Sequence, residues 1–335
     1  MACIHSVLRA VQQAGAAILF TVGLLGHVSP GFAAERELSV DQFSVVKLTV
    51  KTVPDARSAR SLGPQREGTG VVIDSGGLVL TIGYLVTEAD TVELATADGR
   101  KFPANVIGYD NVTGLGLVKS LQPLPIKPVD FGASSDTNLR DLVLIVGFDG
   151  VAPAYIVSKR PFVGYWEYLL DEAIYTAPAT VNWQGAALLS REGKLLGIGS
   201  LAVGDAIGKS NVPGNMFVPI DTLKPVLGDF IANGRATSKP RPWLGITSQE
   251  VQGKVIITRV TDEGPAADAG LQAGDIIVGL GGQSLKGQAD FYQRLWKSGD
   301  AGVEVTLDVL KGSKIEPVKV KSINREQHFR TKPMY

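Results

Sequence analysis

The side chains that most often carry chemistry are nearly absent from this 335-residue chain. Its one cysteine is Cys3, and its three histidines are His5, His27 and His328. The first 33 residues read as a removable leader, so the mature chain would have no thiolate, no cysteine metal ligand and no imidazole between residues 34 and 327. A metal site would then rest on carboxylates alone, and no EF-hand spacing occurs, so no metal and no cofactor is implied. Lys209-Ser210 could supply a lysine base for a serine nucleophile, but the pair sits in a glycine-rich stretch with nothing apolar to lower the lysine pKa. The acid pairs Asp171-Glu172 and Asp262-Glu263 read as solvated or capping charge. Asn111-Val112-Thr113 spells a glycosylation acceptor, a tripeptide common by chance.

Those residues must be positioned by something, and the patterning says by strands. The chain carries 33 basic and 33 acidic residues, 44% hydrophobic content and 20% charged content, as a globular protein does. No block of five Lys or Arg occurs, which argues against nucleic acid as a partner. The N-terminus has Arg9, then an apolar stretch over 14 to 28 and small residues around Gly31-Phe32-Ala33. It is the layout of a signal peptide cut after Ala33 (1–33), or of a membrane anchor if uncut. From Val45 to about Ile231, short apolar runs alternate with turn signals such as Gly76-Gly77, Asp98-Gly99 and Glu192-Gly193, predicting an all-β barrel or sandwich. One helix is expected over DTLKPVLGDFIANG, with Asp221 or Thr222 as cap and Gly234 as stop. Residues 236–242 (ATSKPRP) read as a linker. A smaller module follows from Trp243, with strands near KVIITRV, DIIVGL and VEVTLDVL and an amphipathic helix in QADFYQRLWKSG.

The second module carries WLGI (243–246) and GPAADAGLQAGDIIVGLGGQSL (264–285), which resemble the PDZ domains of the HtrA (Deg) proteases. The resemblance implies that Trp243, Leu244, Gly245 and Ile246 form a loop binding a peptide's terminal carboxylate, and that Phe291 and Leu295 line its side-chain pocket. The first region, with GTGVVIDSGGLVLT, YDNVTGLGLVK, EGKLLGIGS and GNMFVPID, is similar to the trypsin-like domain of the same family. The expected fold is therefore mainly β: a trypsin-like double β-barrel (38–235), the linker, a PDZ domain (243–325) and a tail (326–335).

The resemblance also marks where the family keeps its catalytic triad. The family's T-N-x-H-V reads TIGYLV here, which puts Tyr84 at the histidine. Its T-D-L-A reads TGLG, with Gly114 at the aspartate. Its G-N-S-G-G-P reads NWQGAA, with Gln184, or Gly185 after a one-residue gap, at the serine. Asn182 and Ala186 replace glycines of the nucleophile turn. A serine hydroxyl needs a base that titrates near neutral pH and a third group to hold it. Tyrosine, glycine and glutamine supply none of these. The expectation is a non-enzyme: an exported, periplasmic HtrA-like pseudoprotease acting as an adaptor, scaffold or chaperone-like regulator. Its partners would be C-terminal or extended peptide segments and further copies or an active paralogue. The competing expectation is a periplasmic serine endopeptidase of the family. A third is a PDZ module that only packs.

Overall fold

The computed structural model describes residues 38–234 and 239–330. Residues 1–37, 235–238 and 331–335 lie outside them, so the signal-peptide and anchor expectations fall on residues that are not described.

Twelve strands form two closed antiparallel barrels. The first contains β1 (Val45–Thr52), β2 (Gln65–Val72), β3 (Leu78–Ile82), β4 (Ala89–Ala95), β5 (Lys101–Tyr109) and β6 (Leu115–Ser120), in the order β1-β2-β3-β6-β5-β4. The second contains β7 (Leu142–Gly147), β8 (Gly150–Gly164), β9 (Tyr168–Ala177), β10 (Ala187–Leu189), β11 (Leu195–Val203) and β12 (Gly214–Pro219), in the order β10-β11-β12-β9-β8-β7. Closure removes free edges, which suits a chain built from short apolar runs. The sequence LVLTI of β3 is buried at every position, so it lacks the in-out alternation of a half-exposed strand. One apolar core runs through both barrels, from Leu48, Leu80 and Leu117 to Ile198, Val218 and Phe230.

Two short helices matter for the site: α1 (Ala59–Leu62) and α2 (Gly83–Val86), the second directly after β3. The expected helix after β12 is broken. A 3-10 turn over Ile220–Thr222 precedes α3 (Leu227–Asn233), because Pro225 cannot donate within a continuous helix. Asp221 does not cap α3. Its carboxylate accepts from Ser135 N at 2.8 Å and pairs with Lys224 at 2.5 Å. Gly234 closes α3 in the left-handed conformation.

The last module is one antiparallel sheet, β13 (Ile246–Val251), β14 (Lys254–Val260), β15 (Ile276–Leu280), β17 (Glu304–Lys311) and β18 (Lys314–Lys321), with β16 (Gln283–Ser284) paired to β15. Its helices are α4 (Pro265–Asp268), α5 (Gln288–Lys297) and α6 (Arg325–His328). Strand β13 is an edge strand, and α5 packs its apolar face on the sheet, so a groove lies between them. Phe291, Tyr292 and Leu295 are fully buried in this module's own core.

Candidate functional site

Tyr84, Gly114 and Gln184 come together on the wall of one cavity of about 500 Å3, with Trp166, Tyr168 and Trp183 among its aromatic neighbours. Helix α2 presents Tyr84, whose hydroxyl donates to Ser200 O at 3.0 Å. That carbonyl is free because the β11–β12 register shifts between Gly199 and Leu201, leaving Ser200 at a bulge. Burial pushes the Tyr84 hydroxyl pKa far above its usual range, so the group stays a neutral donor. Below it, the buried Arg66 ties the segment down through Tyr84 O and Thr87 O, both at 2.7 Å, and Ser58 Oγ at 2.6 Å.

Gly114 has φ +78°, and a Cβ there would stand 2.8 Å from Tyr168 Oη. The Tyr168 hydroxyl donates to Thr113 O, so a phenol occupies the space into which an aspartate at 114 would extend. Gly114 O in turn accepts from Gly83 N at 2.7 Å, holding the start of α2. On the third side, Gln184 O accepts from Thr69 N at 2.8 Å and Gly185 N donates to Gly199 O at 2.9 Å. Gly185, at φ +73°, is locked against the first barrel, because a Cβ would meet Thr69 O at 2.2 Å.

A residue that the sequence reading set aside joins this wall. His328, the sole histidine among the described residues, lines the same cavity. Its ring lies 4.9 Å from that of Trp243, and its Nδ1 is 2.7 Å from an Arg57 guanidinium nitrogen. Burial and the Arg57 charge hold its pKa below the usual value, which favours the neutral imidazole. Nothing local in the sequence signals this placement. It depends on Glu88, which accepts from Arg330 N at 2.7 Å and from Ser58 N at 2.6 Å and so fastens the tail to the first barrel. Lys209 and Ser210, by contrast, are both exposed in a loop away from the cavity lining. Asp262 and Glu263 form ion pairs with Arg60 and Arg57, and Glu172 pairs with Lys159 at 3.2 Å.

The WLGI segment forms a second polar centre. The N–H groups of Leu244, Gly245 and Ile246 converge on one carboxylate, that of Glu167 at the tip of the β8–β9 hairpin. Gly245 N and Ile246 N donate to its Oε1 at 2.8 and 3.0 Å, and Leu244 N to its Oε2 at 2.9 Å. Trp243 does not donate to the carboxylate; its N–H bonds to Ile323 O at 3.0 Å. Along the groove, Ser248 N donates to Tyr165 O at 2.9 Å and Tyr292 Oη to Gly164 O at 3.2 Å. Gln288 Nε2 reaches Ser248 O at 2.9 Å and Tyr292 Oη at 3.0 Å. Gln288 and Tyr292 are the α5 residues that touch the hairpin by hydrogen bonds, both at Gly164 O, which Gln288 Nε2 reaches at 3.4 Å. Phe291 and Leu295, expected as pocket residues, point into the core.

Residues 68–198 match the model of the trypsin-like peptidase domain, and residues 242–322 that of the PDZ domain. The chain is 30% identical over 278 residues to a probable periplasmic serine endoprotease, DegP-like, of Bartonella henselae, covering 78% of this chain and 54% of that protein. It is 28% identical over 228 residues to the serine endoprotease DegS of Haemophilus influenzae, covering 64% and 65%. The chain spans about half the length of the DegP-like relatives it matches. In fold it is similar to the HtrA-type protease AlgW solved with a decapeptide, at a TM-score of 0.51 and 20% identity over 87% of this chain and 96% of that one.

These similarities correct one expectation. The chain was expected to be no enzyme, from the residues at 84, 114 and 184; its relatives are named as serine endoproteases, which points to a protease at about 30% identity. A trypsin-like domain followed by a PDZ domain, each similar in sequence to those of the DegP-like and DegS proteins, aligns this chain with the HtrA/Deg family.

Proposed function

We propose that this chain is a peptide-recognising protein of the HtrA/Deg type, with the groove between β13 and α5 as its recognition site. One observation carries the reading: three successive backbone N–H groups, of Leu244, Gly245 and Ile246, converge on a single carboxylate. A loop of that geometry suits the terminal carboxylate of a peptide laid along an edge strand. Trp243 would brace the loop from outside, and Phe291 and Leu295 would support the groove from beneath. The partners are C-terminal or extended segments of other proteins, met in the periplasm if the names of the relatives extend to this chain. Assembly with further copies or a paralogue belongs to the same reading. Binding of random C-terminal heptapeptides, each as free acid and as amide, is the test. Loss of affinity on amidation is the expected result, and indifference to it would refute the reading.

A second reading, endoproteolysis in the cavity lined by Tyr84 and Gln184, is favoured by the relatives' names. Its test is cleavage of an unfolded protein by material from a protease-deficient host. Under this reading turnover falls in Tyr84→Ala or Gln184→Ala, or in His328→Gln, since His328 carries the one imidazole at the cavity. Turnover unchanged in all three would separate hydrolysis from this cavity.

A further inference from the structure

The carboxylate loop is already filled, by the chain itself. The β8–β9 hairpin enters the groove as a peptide would. Tyr165 O takes a strand-type hydrogen bond from Ser248 N on the outer edge of β13, and Gly164 O takes one from Tyr292 Oη on α5. Going along the chain from Tyr165 to Glu167, the hairpin runs from Ser248 toward Leu244, antiparallel to β13. It ends with a carboxylate on the three N–H groups, where the C-terminus of an added strand would come to rest. Val163 packs on the core of the same module.

Glu167 holds this position at a conformational cost. Its φ is +55°, in the left-handed region that a glutamate avoids, by about 1–2 kcal/mol. A glycine would carry the same turn without that cost. The side chain is also nearly enclosed, at 7% exposure, in a setting where an unpaired carboxylate would be strongly disfavoured. Its partners are the loop N–H groups.

We infer that Glu167 is an internal ligand of the groove, which an incoming peptide carboxylate must displace before it can bind. The inference rests on the peptide-binding reading above and adds the state of the site at rest. A groove that is mostly self-occupied binds its peptide with an affinity reduced by the fraction of open molecules. Emptying the loop without disturbing the turn then raises the affinity, and the natural peptide competes against a tethered group at high effective concentration.

The test compares the wild-type chain with Glu167→Gly, which relieves the left-handed strain, and with Glu167→Gln, which keeps the size. The probe is the random heptapeptide library as free acids and as amides, with amide hydrogen exchange at Leu244, Gly245 and Ile246 as the readout that needs no ligand. Expected are binding about tenfold tighter or more in Glu167→Gly, dependence on the free acid, and faster exchange of the three amides. Equal, acid-dependent affinity in all three proteins would overturn the internal ligand and leave the peptide-binding reading standing. Absence of acid-dependent binding even in Glu167→Gly, with the three amides deprotected, would refute the peptide-binding reading, and this inference with it.

Discussion

Raising the pH should loosen the hold of the hairpin on the carboxylate loop. Burial lifts the Glu167 carboxyl from 4.5 to about 7, against the pull of the Leu244, Ile246 and Gly245 N–H groups and the more distant Arg325 charge. The other charged groups around it are Asp110, Lys239, Arg241 and Glu326, with the Tyr292 hydroxyl on the side of α5. With the hairpin withdrawn, or the chain unfolded, Glu167 titrates near its ordinary value. The closed state therefore binds the proton more tightly. Its stabilisation is fully present below pH 4.5 and is lost as the pH rises toward about 7, by about 3 kcal/mol in all. Urea unfolding of wild type and Glu167→Gln across this window isolates the effect, because the remaining carboxylates are common to both. The stability of the wild type relative to the variant should fall by about 3 kcal/mol and then level off. A difference constant to within about 0.5 kcal/mol would refute the reasoning. A difference that grows with pH would mean that the three N–H donors outweigh burial and that the loop holds an ionised carboxylate.

Gly114→Ala forces a side chain into the left-handed region and against Tyr168 Oη, 2.8 Å away, and should cost about 2–4 kcal/mol by denaturant unfolding. Adding Tyr168→Phe should recover the steric part only. Arg66→Met leaves the carbonyls of Tyr84 and Thr87 without their buried donor, so a loss of about 3–5 kcal/mol is expected; a loss under about 1 kcal/mol would mean that water replaces the guanidinium. Tyr84→Phe removes only the bond to Ser200 O and should cost about 0.5–1.5 kcal/mol in the same assay.

The β-rich first region was legible in short apolar runs such as VVKLTV and LVLTI, because turns fixed within a few residues bound each of them; that it forms two barrels, followed by a PDZ module, was legible only in family motifs such as GTGVVIDSGGLVLT and WLGI. The helix after β12 was legible as a helix but not in extent, since Pro225 divides it. At the candidate sites the sequence determined which residue types stand at positions 84, 114 and 184, and the resemblance pointed to a carboxylate loop over Trp243–Ile246, of which the structure turns the N–H groups of Leu244, Gly245 and Ile246 onto one carboxylate. What it could not hold was their surroundings. Tyr168 over Gly114, Ser200 beneath the Tyr84 hydroxyl, His328 beside Trp243 and Glu167 on the loop at Leu244 all join residues distant in the chain. No period or spacing encodes such pairs. They arise where closed barrels bring strand ends together and where the β8–β9 hairpin, long enough to leave its own barrel, reaches the edge of β13. In the sequence Glu167 is one of 33 acidic residues, with nothing local to mark it. Only the tertiary structure, by burying it against three unpaired N–H groups, makes its carboxylate a ligand.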